Sequence, residues 1–177
     1  MKFKTYELGD IANGGFKLSK QVEEKLLELV GEKLNQPVRV DVTEGKNVEQ
    51  DGWIGESKAE VKVSAKIFKG ENKYGNFFET HYKSGKPSAL LLTRSDLYVT
   101  LSPGWNSKEK SMTGKIRVWN VKDLLGVMGR VYPIVKFDYE EYGFYVPNKS
   151  EHIKHVWIGD VRFNLATKEY DLGSLLT

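Results

Sequence analysis

Asp51-Gly52-Trp53-Ile54-Gly55-Glu56-Ser57-Lys58-Ala59-Glu60-Val61-Lys62-Val63-Ser64-Ala65-Lys66-Ile67 is the stretch on which the reading of the fold turns. From Ala59 onward it alternates polar with small or apolar residues, the pattern of a half-buried strand. In such a strand Glu60 and Lys62 leave the same face, while Val61 and Val63 point into the core. Gly52 to Lys58 is turn-like, so one carboxylate precedes the turn, and a carboxylate and an ammonium follow it. Two carboxylates suit Mg²⁺, which prefers hard oxygen ligands and keeps several waters. The lysine can then stabilise charge that develops on a phosphate, or help orient a water.

Spacing alone does not single this site out. Related Glu and Lys spacings occur at Glu23-Glu24-Lys25, Glu44-Gly45-Lys46, Glu56-Ser57-Lys58 and Glu71-Asn72-Lys73, in a helix or among turn formers. The plain alternative for Glu60 and Lys62 is a solvated strand face whose ion pair contributes under about 1 kcal/mol.

A chain of 177 residues holds one full core and is too short for two ordinary domains. A net charge of +3 neither demands nor excludes a nucleic-acid partner. With no cysteine, disulfides, thiolate zinc sites and cysteine nucleophiles are excluded. Residues 1–8 lack the apolar segment of a secretory signal. The run Ala89-Leu90-Leu91-Leu92 falls far short of the roughly 20 residues that a membrane span needs. A soluble protein of the cytoplasm is expected, the host-cell cytoplasm if the gene is carried by a phage.

Ser19 is expected to cap a helix with Val22, Leu26, Leu29, Val30 and Leu34 on its apolar face, ending near Asn35-Gln36-Pro37. Strands are expected at 38–42, 51–54, 60–68, 77–82 and 97–101, with a short helix over 88–95 started by Pro87. Residues 105–114 read as an exposed lysine-rich loop. An extended piece at 116–119, a helix at 121–129 and strands near 134–137 and 143–146 follow. The segments 155–158 and 161–163 read as a hairpin joined by Gly159-Asp160. The whole is expected to be a single α/β domain over 1–177, with a core of about 16–102 and a β-rich extension of about 103–177.

The order helix, strands carrying Asp and then Glu-x-Lys, helix, strand resembles the core of the PD-(D/E)xK nuclease superfamily, with its restriction enzymes and junction resolvases, over about Ser19 to Leu101. The resemblance implies a restriction-endonuclease-like fold with catalytic residues Asp51, Glu60 and Lys62, and Mg²⁺ held by Asp51, Glu60 and the backbone carbonyl of Val61. Mn²⁺ is expected to substitute. Val22-Glu23-Glu24-Lys25-Leu26 looks like the helical motif that adds a glutamate in resolvase-like members; Glu23 is the better match, and Glu24 stays open. Gln50 stands where the motif has proline. Gly75-Asn76-Phe77-Phe78-Glu79, Ser84-Gly85-Lys86-Pro87-Ser88-Ala89 and Thr93-Arg94-Ser95-Asp96-Leu97-Tyr98-Val99 are similar to phage proteins assigned to the same superfamily.

Other residues bear on the same chemistry. Ser84-Gly85-Lys86-Pro87-Ser88 is no phosphate loop, because Thr80 stands at the required first glycine and Pro87 displaces the hydroxyl residue. Lys86 and Ser88 can bind a DNA phosphate at a helix start, or simply form a proline-started cap. Glu79 reads as a further metal or substrate contact, or as a lysine's structural partner. His152 and His155 lack the company that zinc requires, and a metal-dependent hydrolysis does not require His81 as a base. Lys108 and Lys110, in a segment that mixes cations with Trp105 and Trp119, suit contact with DNA backbone and unpaired bases. The resemblance therefore implies a Mg²⁺-dependent endodeoxyribonuclease that uses a metal-activated water, leaves a 5′-phosphate and selects branched DNA, with a homodimer if it is resolvase-like. The alternative is an inactive nucleic-acid-binding or assembly module of the same fold; an RNA-cleaving variant would differ only in substrate.

Overall fold

The long helix and the strand that follows it are joined by a stop signal written in the sequence. A computed structural model describes residues 2–4, 16–41, 50–64, 76–137 and 141–176. Helix α1 (Phe16–Leu34) buries Val22, Leu26, Leu27, Leu29 and Val30 on one side. It ends in a left-handed Asn35 (φ 52°), whose N–H donates to the Glu32 carbonyl while that of Gln36 donates to Gly31. This is the paired closure that satisfies orphan helix carbonyls. Ser19 lies inside the helix, so the expected cap is displaced by a start at Phe16.

Strands β2 (Val38–Val40), β3 (Gly52–Ile54) and β4 (Ser57–Val63) form an antiparallel meander. Gly55, at φ +60°, makes the two-residue turn between β3 and β4, where a residue without Cβ is favoured. The expected extensions of β2 to Val42 and of β4 to Phe68 run into residues outside those described. Beyond that gap come β5 (Asn76–Tyr82), the single-turn α2 (Ala89–Leu92) and β6 (Leu97–Asn106). Strand β6 lies parallel to β4, with Glu60 opposite Tyr98 and Lys62 opposite Thr100. Helix α2 is shorter than expected because Thr93 and Asp96 turn out to serve β4: the Asp96 N–H donates to the Lys58 carbonyl at 3.0 Å.

The C-terminal half holds β7 (Ser111–Asn120), α3 (Val121–Val127), β8 (Val135–Phe137), β9 (Glu141–Val146), β10 (His155–Asn164) and β11 (Glu169–Leu176). The expected loop over 105–114 is corrected to a hairpin of ten-residue strands with its turn at 107–110, closed by Asn106 Oδ1 accepting from the N–H groups of Lys108 and Glu109. The expected hairpin at Gly159-Asp160 is corrected to a bulge within one continuous strand β10, because both of its halves pair with β7. Gly159 carries a φ of +155° there. Two strands were not foreseen, β11 and the N-terminal β1 (Lys2–Lys4) that pairs with it.

Among the described residues these strands make a mixed eight-stranded sheet, ordered β1-β11-β10-β7-β6-β4-β3-β2, and a three-stranded sheet, β5-β9-β8. The protein is α/β and rich in sheet. One face of the large sheet packs on α1 through Ala59, Val61, Val99, Leu101, Ile116 and Val118. The other face meets the small sheet and α3 through Tyr98, Trp119, Phe78, Phe144 and Leu124, with Phe78 edge-on to Trp119 at 5.0 Å. No described helix is long and apolar enough to cross a membrane.

Candidate functional site

Asp51 enters the site as a replacement for a strand residue. Its backbone N–H donates to the Ala59 carbonyl (2.8 Å), and its carbonyl accepts from the Asp41 N–H (2.9 Å), which fixes the residue between β2 and β4. Its carboxylate Oδ2 then accepts the Val61 N–H at 2.7 Å, the donor that the next ladder partner would have taken. A strand residue sends its N–H and C=O to the same side, which is why opposed residues exchange both bonds. The Val61 carbonyl therefore faces the same edge as Asp51. Glu60 and Lys62 lie on the sheet face away from α1; Glu60 is 9% exposed and accepts from the Thr93 hydroxyl at 3.4 Å, while Lys62 is open to solvent.

Electrostatics ties these groups together. Burial, followed by the charges of Asp51 and Glu23, pushes the Glu60 carboxyl up to about 8 against the opposing pull of Thr93 and Lys62. Burial also raises Asp51, opposed by the Val61 N–H and by Lys20 and Lys62, and reinforced by Asp41. The Tyr98 phenol opposite Glu60 is raised by burial and then by Glu60, Glu79 and Asp51, so Glu79 borders the same volume. The Glu79 Oε1 is buried without a hydrogen-bond partner among the described residues.

The donor chemistry fits a divalent cation. Among the described residues no three His, Asp or Glu side chains are gathered to cage a metal ion, and a cation here would have Asp51, Glu60 and the Val61 carbonyl as its donors. Mg²⁺ is commonly held in this way, by one or two carboxylates with the remaining positions left to water and substrate phosphate. A cation there would also relieve the repulsion and burial that raise both carboxyls.

The remaining expected residues divide. Glu23 joins the site from α1, in an ion pair with Lys20 at 3.5 Å, whereas Glu24 points to solvent. Lys86 is exposed in the turn between β5 and α2. Ser88 is buried, and its hydroxyl donates to the Glu79 carbonyl, so it braces β5 and does not face solvent. Lys108 and Lys110 sit on the hairpin turn beyond Asn106, six residues along β6 from Thr100, about 20 Å at strand rise. The structure does not bring them to the carboxylates. His155 lies against Trp119 at 4.5 Å and is pushed down to about 4 by burial and Arg117, while His152 stands edge-on to Tyr132.

Several residues of the site escaped the sequence reading. Lys20 donates to the Asp41 carbonyl at 3.2 Å, and the Gln50 amide donates to the buried Asp41 carboxylate at 2.9 Å. Their only signals were the position of Lys20 one helical turn before Glu23 and the adjacency of Gln50 to Asp51. Arg117, buried on the same face as Lys62, lies in the segment that mixes cations with Trp105 and Trp119, and its sequence signal was that mixture and not its place beside Lys62. No protein-family model, no curated protein and no solved structure matches the chain.

Proposed function

We propose that this protein is a Mg²⁺-dependent DNA endonuclease of the PD-(D/E)xK type. The observation that carries the reading is the paired burial of Asp51 and Glu60 at the point where β3 leaves β4, with Lys62 projecting from the same face as Glu60. The element order α1, β2, β3, β4, α2, β6, with β6 parallel to β4, supports it, since this is the order that the resemblance implies. Strand β5 and the strands after β6 are additions to that core. Gln50, at the proline position of the motif, holds Asp41 beneath Asp51.

Asp51 and Glu60, with the Val61 carbonyl, would hold the cation. When bound, Mg²⁺ supplies Lewis acidity to the phosphate and makes water acidic enough to serve as nucleophile near neutral pH. Lys62 faces the phosphate and offsets the charge that grows on it in the transition state. Glu23 and Lys20 set the local field from α1, and the Thr93 hydroxyl orients Glu60.

The test is cleavage of plasmid, linear duplex, single-stranded and four-way-junction DNA in Mg²⁺, Mn²⁺ or EDTA. Wild type should cut in either ion and not in EDTA, and Lys62→Ala and Asp51→Asn should lose about a hundredfold or more. DNA that is bound but never cut in either ion would replace the enzyme with a non-catalytic binding module.

A further inference from the structure

The sheet face that carries Glu60 and Lys62 does not end at the carboxylates. Directly opposed residues of neighbouring strands share a face, and the register runs Lys62 to Thr100 to Arg117 to Trp157 across β4, β6, β7 and β10. On the other side of Glu60 the same face carries Lys58, opposed by Trp53, itself opposed by Arg39. Each arm therefore pairs a guanidinium with an indole.

The two arms have the chemistry of a nucleic-acid strand. Trp157 is 53% exposed, with its Nε1 anchored on Asp160 Oδ1 at 3.3 Å. Arg117 is buried; its Nη2 donates to Asn148 Oδ1 at 3.1 Å, and its Nε has no hydrogen-bond partner among the described residues. Asp160, the acid whose charge acts on it, is already committed to Thr113, Lys115 and Asn106. A guanidinium held in place with an unmet donor suits a phosphate oxygen. At the other end the Arg39 guanidinium stacks 4.1 Å from the centre of the Trp53 ring. An aromatic or guanidinium plane can stack on a base only when that base is not enclosed in a duplex. From Lys62 to Trp157 is three strand spacings, about 14 Å, a span of a few nucleotides.

We infer that this face, where the small sheet and α3 leave it open at Lys62 and Trp157, is a track for single-stranded DNA, in which Trp157 stacks an unpaired base, Lys62 contacts a phosphate, the buried Arg117 between them offers its unmet Nε–H to the next one, and the Arg39 and Trp53 stack receives the strand on the far side of Glu60. It deepens the nuclease reading by naming the substrate as DNA that is unpaired at the cut. Binding can be measured without that reading.

The experiment is fluorescence anisotropy of a labelled single-stranded DNA 12-mer, its blunt duplex and the matching RNA strand, all in EDTA. The DNA single strand should bind at least tenfold more tightly than the duplex. Trp157→Ala, at an exposed position, should weaken single-strand binding between about fivefold and a hundredfold and leave the duplex unchanged. Arg117→Gln should lower the slope of log K against log salt by about 0.7. Equal affinity for strand and duplex, an unaltered Trp157→Ala, or a tenfold preference for RNA would overturn the track. Cleavage in Mg²⁺ with an unaltered Trp157→Ala in EDTA would remove the track and keep the nuclease; the strand preference without cleavage would do the reverse.

Discussion

Glu60→Gln should make the protein more stable at pH 8 in the absence of divalent ions, although it removes a residue of the site. Burial and the charges of Asp51 and Glu23 hold the Glu60 carboxyl at about 8 in the folded chain, against an ordinary value of 4.5. Below pH 4.5 both states are protonated, and the group contributes nothing that depends on pH. Between 4.5 and 8 only the unfolded chain ionises, so stability falls as pH rises, and above 8 the loss is complete. At 1.36 kcal/mol per unit, the shift corresponds to a loss on the order of 4 kcal/mol by pH 8. Glutamine keeps the shape of the protonated acid and carries no such cost. Urea unfolding of wild type and Glu60→Gln at pH 5, 6, 7 and 8 in EDTA should give nearly equal stabilities at pH 5 and a gap of roughly 3 kcal/mol or more in favour of the variant at pH 8. Millimolar Mg²⁺ should narrow the gap by raising only wild type. Stability curves that stay parallel across this range would show that Glu60 is not held among like charges, and the basis for a cation site would go with it.

Asp51 separates structure from chemistry. Asp51→Ala leaves the buried Val61 N–H without its acceptor and should cost about 1–3 kcal/mol, whereas Asp51→Asn keeps an acceptor and should unfold close to wild type, both in urea at pH 7. Gly52→Ala would place a Cβ 2.5 Å from the Arg39 carbonyl oxygen and 2.6 Å from Leu27 Cδ1. It should destabilise by about 1–3 kcal/mol and, by shifting β3, reduce cleavage in the plasmid assay. Asp160→Ala strips a buried carboxylate from Lys115, at 2.9 Å, and should cost about 3–5 kcal/mol by urea unfolding at pH 7. Burial raises the Asp160 carboxyl, but the hydrogen bonds from Lys115, Thr113 and Asn106 and the Lys115 charge outweigh it and lower the group, so its contribution is intact above the ordinary value of 3.8 and is lost as pH falls through the depressed one; the deficit of the variant should shrink in strong acid.

The parts of the molecule that local pattern specifies were legible. The helical spacing of Val22, Leu26, Leu29 and Val30 located α1, and the alternation after Ala59 located β4 with Glu60 and Lys62 on one face. What misled was sequence whose role is set by a distant partner. Gly159-Asp160 has the composition of a turn, yet Asp160 faces Lys115 on β7, and the glycine absorbs a bulge. The polar stretch after Trp105 looked like solvated loop because the tip of the β6 and β7 hairpin is exposed from Ser107 to Ser111 and carries no apolar residue there. Strand β11 buries Tyr170 and Leu172 because pairing with β10 and β1 holds it in the sheet where α1 packs on its face. The same holds at the site: Asp51, Glu60 and Lys62 form a pattern within twelve residues, whereas Lys20, Asp41, Thr93 and Arg117 reach it from four separate elements or turns, and only the folded register brings them in.

The distribution of buried charge gives the functional reading its direction. The face of the large sheet against α1 is lined by apolar side chains, and Glu60, Arg117 and Asp160 lie on the opposite one. A buried charge is costly unless its surroundings match it. Asp160 is matched within the chain, by Lys115, Thr113, Asn106 and the Trp157 indole, and so serves the fold. Among the described residues Glu60 is met by the Thr93 hydroxyl and the charge of the exposed Lys62, against two further carboxylates, and Arg117 by the Asn148 side chain, with its Nε unmet. The first is a deficit of positive charge and the second a deficit of negative charge, two strands apart on one face. A divalent cation would offset the first and a phosphodiester strand the second, and a strand bound through that cation would meet both at once.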